Sequence, residues 1–171
     1  MPNIETKWMK LAGLAATTGI AVMLALPVAA QAGETMEKGR YVNLKADTDC
    51  AKVADVEGHV ICSYEIPAVQ ISDQGEVGSR VVLGTLDYVN GVGKNQGYTV
   101  TTYADGSTRA VWWEGDSKFN DQKVRYAEGT YTCVGGSGRL AGIKCEGKWK
   151  TTFEKGGFGS GTYDGTMTLP D

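Results

Sequence analysis

One histidine, four cysteines, two strand-borne glutamates and a glycine-rich loop are the residues whose types could do chemistry in this chain. His59 has Glu57 and Ser63 close by, the residue types of a nucleophilic triad, in which a histidine takes the proton of a serine while an acid orients it. On a strand, however, His59 and Ser63 share a face four positions apart and do not touch, and no nucleophile-elbow motif accompanies them. His59 therefore reads as a structural or surface residue. Glu65 and Glu114 are the weak catalytic candidates, as general acid or base. Charged side chains are seldom buried unpaired, so Glu65 reads as a solvent-facing strand residue and Glu114 as a strand-end carboxylate beside Gly115. Glu114 shares the face of Trp112, and would enter a cavity with it. His-Glu-x-x-His, Gly-x-Ser-x-Gly and a clustered Asp/His set are absent.

The loop Val134–Gly142 is glycine-rich enough to raise the question of phosphate binding. A P-loop needs Lys-Ser/Thr after its last glycine and a helix facing the anion. Here a strand follows, and Gly136-x-Gly138-x-x-x-Gly142 has the wrong spacing for a dinucleotide fingerprint. The glycines instead supply the positive φ angles of a tight, bulged turn. Zinc is disfavoured too, because the cysteines lack Cys-x-x-Cys spacing and a second histidine is missing. No metal and no cofactor is expected.

The elements that position these residues are strands. Gly129, Tyr131 and Cys133 alternate with Glu128, Thr130 and Thr132 before the loop. After it, Cys145, Gly147, Trp149, Thr151 and Phe153 alternate with Glu146, Lys148, Lys150 and Thr152. Period-two alternation marks strands with one buried face. With Cys133 opposite Cys145, an antiparallel register sets Tyr131 against Gly147 and Trp149 against Gly129. Each ring then covers a bare glycine. That register favours a Cys133–Cys145 disulfide. Cys50 and Cys62 have the same spacing, and two local staples, each worth ~3 kcal/mol on the chain-entropy account, are the favoured connectivity of the three that four cysteines allow.

The run Gly-Thr-Tyr-Thr-Cys-Val-Gly-Gly-Ser-Gly-Arg-Leu-Ala-Gly-Ile, from Gly129 to Ile143, resembles the closing hairpin of the allene oxide cyclase barrel family. Dirigent proteins and many secreted bacterial proteins are similar there. Tyr103-Ala-Asp-Gly-Ser-Thr108, followed by a strand and Gly115, is similar to the bacterial proteins, so the resemblance spans roughly Gly97 to Phe153. It implies an all-β fold, a small antiparallel β-barrel of about eight strands with an apolar interior. It carries no activity, because fold and function separate readily. The plant cyclases are thought to use a carboxylate on an early strand, and Tyr64-Glu65-Ile66 is the local likeness to that segment. Their association through barrel walls implies a homo-oligomer.

Before the barrel comes a secretory signal. Lys7 and Lys10 are a basic start, Leu11 to Leu26 is apolar, and Ala30-Gln-Ala32 is a small-x-small cleavage site. The uninterrupted apolar core is shorter than the ~20 residues of a spanning helix. Residues 1–32 are thus expected to be removed, leaving a single domain over 33–171 with no membrane span, in the periplasm or outside the cell. Without Lys7, Lys10 and Glu5 the charged residues are 15 basic and 19 acidic, a net charge of −4, which argues against a nucleic-acid partner. Of the 24 glycines, all but Gly13 and Gly19 lie in this domain and punctuate short strands. All four cysteines do too, in keeping with an oxidising compartment.

Along the domain, Gly33 to Gly39 reads as a loose polar start, Arg40 to Leu44 as a short strand and Asp47-Thr-Asp49 as a turn. His59 to Ile71 is a strand that bends or lies at an edge at Pro67, which has no N–H to donate. Ser79 to Val89, Gly97 to Tyr103, Thr108 to Glu114 and Gly161 to Leu169 are further strands. Asn90-Gly91, Asn95-Gln-Gly97 and Asp105-Gly106 are turns, and Lys118 to Gln122 is a polar loop. Trp112 and Trp113 must point to opposite faces. Glu114 at a barrel mouth would put Trp112 inside, and Trp113, with Val111, outside as an interaction patch or under the segment Glu34 to Tyr41. Tyr64, Trp112, Tyr131 and Trp149 are then the candidate ligand-binding residues.

The reading that follows is an exported barrel, stapled by disulfides, that binds a small apolar ligand or a partner without catalysis. An isomerase or cyclase acting on an oxidised lipid, and a structural protein with a filled barrel, are the alternatives. The state of the interior separates them.

Overall fold

The computed structural model describes residues 33–154 and 158–170; the signal peptide expected over residues 1–32 lies outside them. Among these residues nine strands follow one another: β1 Thr35–Asn43, β2 Asp47–Lys52, β3 His59–Ser72, β4 Val77–Val89, β5 Val92–Tyr103, β6 Thr108–Phe119, β7 Arg125–Ser137, β8 Lys144–Phe153 and β9 Gly159–Thr168. From β3 to β9 each strand pairs antiparallel with the next, β9 pairs with β1, and β1 closes the ring on β3. Eight strands make the barrel. β2 is additional and pairs with the first half of β3.

β1 and β2 run in line along the same edge of β3, with Asn43 opposite Ala68 and Asp47 opposite Glu65. The interruption falls beside Pro67, whose carbonyl accepts from the Leu44 N–H at 2.9 Å. In an antiparallel ladder a residue's N–H and C=O point to the same neighbour. The donor that proline lacks is therefore missing on the side where the edge breaks. The two-residue turn Asn90-Gly91 has positive φ at both positions, 53° and 83°, as a tight hairpin requires.

Inward positions are an alternation of rings and glycines. Tyr131 pairs with Gly147 and Trp149 with Gly129, the register read from the sequence, and the same device recurs around the barrel. Tyr64 faces Gly84, Trp113 faces Gly97, Tyr41 faces Gly161 and Tyr163 faces Gly39. Cys50–Cys62 ties β2 to β3, and Cys133–Cys145 ties β7 to β8; no thiol is free. The Gly138–Leu140 turn plugs one end of the barrel. Its Leu140 is buried with Ile143 and Tyr103, and Gly138 and Gly142 hold positive φ.

Four sequence readings are corrected. Asn95-Gln-Gly97 is not a turn but lies within β5, paired with Leu86, Thr85 and Gly84 of β4, and its turn-type residues are held extended by ladders on both sides. Thr35–Gly39 is ordered in β1, paired with β9; its inward residues are Glu37 and Gly39, so no apolar alternation announces it. Asp47-Thr-Asp49 is not a turn but the start of β2, which is exposed throughout and so shows no buried face. Lys118 and Phe119 complete β6 rather than opening a loop.

Candidate functional site

The assignment of Trp112 and Trp113 is reversed in the structure. Trp113 is buried inside the barrel and Trp112 lies on its outer wall, where its ring meets Tyr98 edge-on at 4.9 Å. The reason lies across the ladder: Trp113 faces Gly97, with no side chain to fill the interior, whereas Trp112 faces Tyr98. Glu114 shares the outer face and is exposed, and Glu65 is exposed on β3. Neither carboxylate reaches the interior. His59 stands at a hairpin edge, its Nδ1 2.6 Å from Asp55 and its Nε2 2.7 Å from Asp87, with no nucleophile between.

The barrel is hollow rather than packed. Its cavity of about 440 Å³ has three levels. Midway stand aromatic and aliphatic walls. Trp113 stacks with Tyr64 at 6.4 Å and meets Trp149 edge-on at 5.6 Å, flanked by Ile66, Val82 and Val111. Of the four candidate ligand residues, Tyr64, Tyr131 and Trp149 line this space and Trp112 does not. Lys45, Thr48, Arg125 and Phe153 line the end away from the Leu140 plug. There the Arg125 guanidinium lies 4.5 Å from the Phe153 ring.

The plugged end is polar, and sequence reasoning missed its central residue. Glu37 is buried, ion-paired with the Arg109 guanidinium, and accepts a 2.7 Å hydrogen bond from the Tyr131 hydroxyl. Beside it, Gln70 donates to the Tyr103 hydroxyl at 3.2 Å and accepts from Thr101 at 3.4 Å. Arg80 lies with its guanidinium 4.3 Å from the Tyr41 ring, and the Tyr41 hydroxyl meets Thr151 at 2.6 Å. The missing sequence signal was chemical. Glu37 sits in a polar stretch with glycines as neighbours in space, and Arg80 and Arg109 are charged residues at inward strand positions.

Burial governs the ionisation of these groups. It pushes the Tyr64 and Tyr131 phenols well above their ordinary value, Tyr163 up to about 12, and Tyr41 and Tyr103 upward, so all remain neutral hydrogen-bonding groups. Burial also works against the Arg109 charge, but the Glu37 carboxylate outweighs it and the net shift is upward. Arg80 has no carboxylate beside it. Burial pushes its pKa down, Tyr41 offsets part of that and repulsion from Arg109 adds to it, and the net shift is downward. The interior thus offers rings, hydroxyls and guanidinium groups, while Glu37, its one carboxylate among the described residues, is engaged.

No protein-family model matches the chain, and no curated protein matches it. Among solved structures, that of the pterocarpan synthase dirigent protein GePTS1 is similar over 81% of this chain and 92% of its own, with a TM-score of 0.52 and 12% identity. The chain has the fold of a dirigent protein. The pterocarpan synthase dirigent protein PsPTS1 is also similar, with a TM-score of 0.49 and 11% identity, over 81% of this chain and 97% of its own. At these identities the likeness concerns the fold alone. It agrees with the barrel that the Gly129–Ile143 hairpin implied.

Proposed function

We propose that the protein is an exported barrel that binds a small, largely apolar molecule in its interior without converting it. The observation that carries this reading is the hollow interior: about 440 Å³, within the range of small-molecule sites, walled by aromatic rings. Catalysis by proton transfer needs an acid or base within reach of the ligand. Glu37, the only inward carboxylate among the described residues, spends its oxygens on Arg109 and Tyr131. Two disulfides and the signal-like residues 1–32 support export to an oxidising compartment. The similar solved structure is that of a protein called a pterocarpan synthase dirigent protein, and a barrel that takes a small molecule is the reading that likeness supports.

Fluorescence titration with N-phenyl-1-naphthylamine, a neutral apolar dye, tests the reading. Saturable one-to-one binding that fails in a variant with the cavity filled is expected; a dye that never binds would overturn it.

Glu37 favours one second reading, an isomerase or cyclase. It is a carboxylate on the first strand of the barrel, where the plant cyclases that the sequence resembles are thought to carry theirs. Turnover of an oxidised apolar substrate, lost in Glu37→Gln, would establish that reading in place of the first.

A further inference from the structure

We propose that the cavity selects organic anions: its ligand carries one anionic group, seated at Arg80 in the plugged half, on a ring-bearing apolar body held between Tyr64, Trp113 and Trp149. This inference rests on the binding function proposed above and names the class of its ligand.

Charge inside the barrel is the first ground. Among the described residues the lining includes Lys45, Arg80, Arg109 and Arg125, and no aspartate or glutamate. The sequence as a whole is acidic, with 20 Asp and Glu against 17 Lys and Arg. The cationic groups are therefore gathered where low-dielectric walls focus their field.

Register is the second ground. Thr101 pairs with Arg80 on one side and with Arg109 on the other, so the two arginines flank one residue at the same level. Adjacent strands are roughly 4.8 Å apart, which sets these backbones about 10 Å from each other. Only one of the two charges is answered. Glu37 pairs with Arg109, while among the described residues no carboxylate pairs with Arg80. The Nε atoms of both arginines are sealed from solvent without a hydrogen-bond partner, and Arg80 alone of the two also lacks a carboxylate among the described residues. A guanidinium stays charged at ordinary pH, and a buried charge without a partner is costly unless something supplies one. The Tyr41 ring, 4.3 Å away, offers a cation–π contact, but it accepts none of the N–H bonds.

The third ground is the match of charge to shape. A carboxylate or sulfonate takes two parallel N–H bonds from a guanidinium. On β4, Val82 is the next inward residue after Arg80 and Gly84 the one after that, so the anion site leads straight to the Tyr64 and Trp113 rings. The neighbouring phenols and the Thr101 hydroxyl are neutral and bring no opposing charge, the Thr101 hydrogen being given already to Gln70.

The test uses N-phenyl-1-naphthylamine as the reporter and two competitors of equal shape, 2-naphthoate and 2-naphthamide. With the wild-type protein, 2-naphthoate displaces the dye at a concentration at least tenfold lower than 2-naphthamide. Arg80→Gln reduces that ratio to within twofold while still binding the dye, and Arg80→Lys keeps part of it. Equal displacement by the two competitors, or a ratio unchanged in Arg80→Gln, overturns the anion site and leaves the binding reading intact. A dye that does not bind the wild type overturns both. If Arg80→Gln does not fold, the wild-type ratio decides by itself.

Discussion

Tyr64 lies across Gly84, its partner on β4, so closely that a Cβ on Gly84 would stand 2.6 Å from the Tyr64 hydroxyl and 2.9 Å from the far edge of Trp113. Both atoms belong to side chains that project into the cavity, so an added methyl must drive them inward. Gly84→Ala is expected to cost about 1–3 kcal/mol, as overpacking does. It should also weaken binding of N-phenyl-1-naphthylamine at least threefold. Thermal unfolding and dye titration measure the two effects; a variant that binds as the wild type does would show that the ligand sits elsewhere.

Glu37→Gln leaves Arg109 buried without its counter-charge. Removal of one partner of a buried pair typically costs about 3–5 kcal/mol, and chemical denaturation should read a loss of that size. Glu65→Gln and Glu114→Gln alter exposed outer-wall carboxylates and should stay within about 0.5 kcal/mol. Ligand affinity in those two variants should stay within about threefold, under ~1 kcal/mol. A stable Glu37→Gln would mean that Arg109 is answered by other groups.

The His59 imidazole sits between Asp55 and Asp87, and its hydrogen bonds to those carboxylates raise its pKa above the ordinary value of 6.5. Because the folded value is the higher one, the clamp is fully present below pH 6.5 and is lost as pH rises through the folded pKa. As the chain has one histidine, an NMR titration of its ring reads this directly. Asp87→Asn should bring the value back toward 6.5; a wild-type value at or below it would remove the clamp from the account.

Trp112, with Tyr98 and Leu83 in the same cross-strand row, forms an apolar strip on the outer wall. Association of two or more copies through that wall is expected, and light scattering of the protein tests it. Trp112→Ser should then yield a monomer of unchanged stability. Trp113→Ser should instead leave association intact and destabilise the barrel, by about 3–5 kcal/mol if the site does not collapse. A wild-type monomer would exclude the wall as an interface.

The barrel itself was legible because its signals are local. Alternation fixes which residues share a face, Asn90-Gly91 fixes a hairpin, and the common register of Cys133/Cys145 with Tyr131/Gly147 fixes β7 against β8. Which face turns inward is different, because alternation is symmetric. Trp112 and Trp113 are equivalent until Gly97 and Gly84 lie beside one of them across the ladder. The polar floor was hidden for a related reason. Glu37, Arg80 and Arg109 come from β1, β4 and β6 and read singly as surface charges. Only closure of β1 onto β3 and β9 brings Glu37 to Arg109, and the same closure leaves Arg80 facing the cavity without a carboxylate.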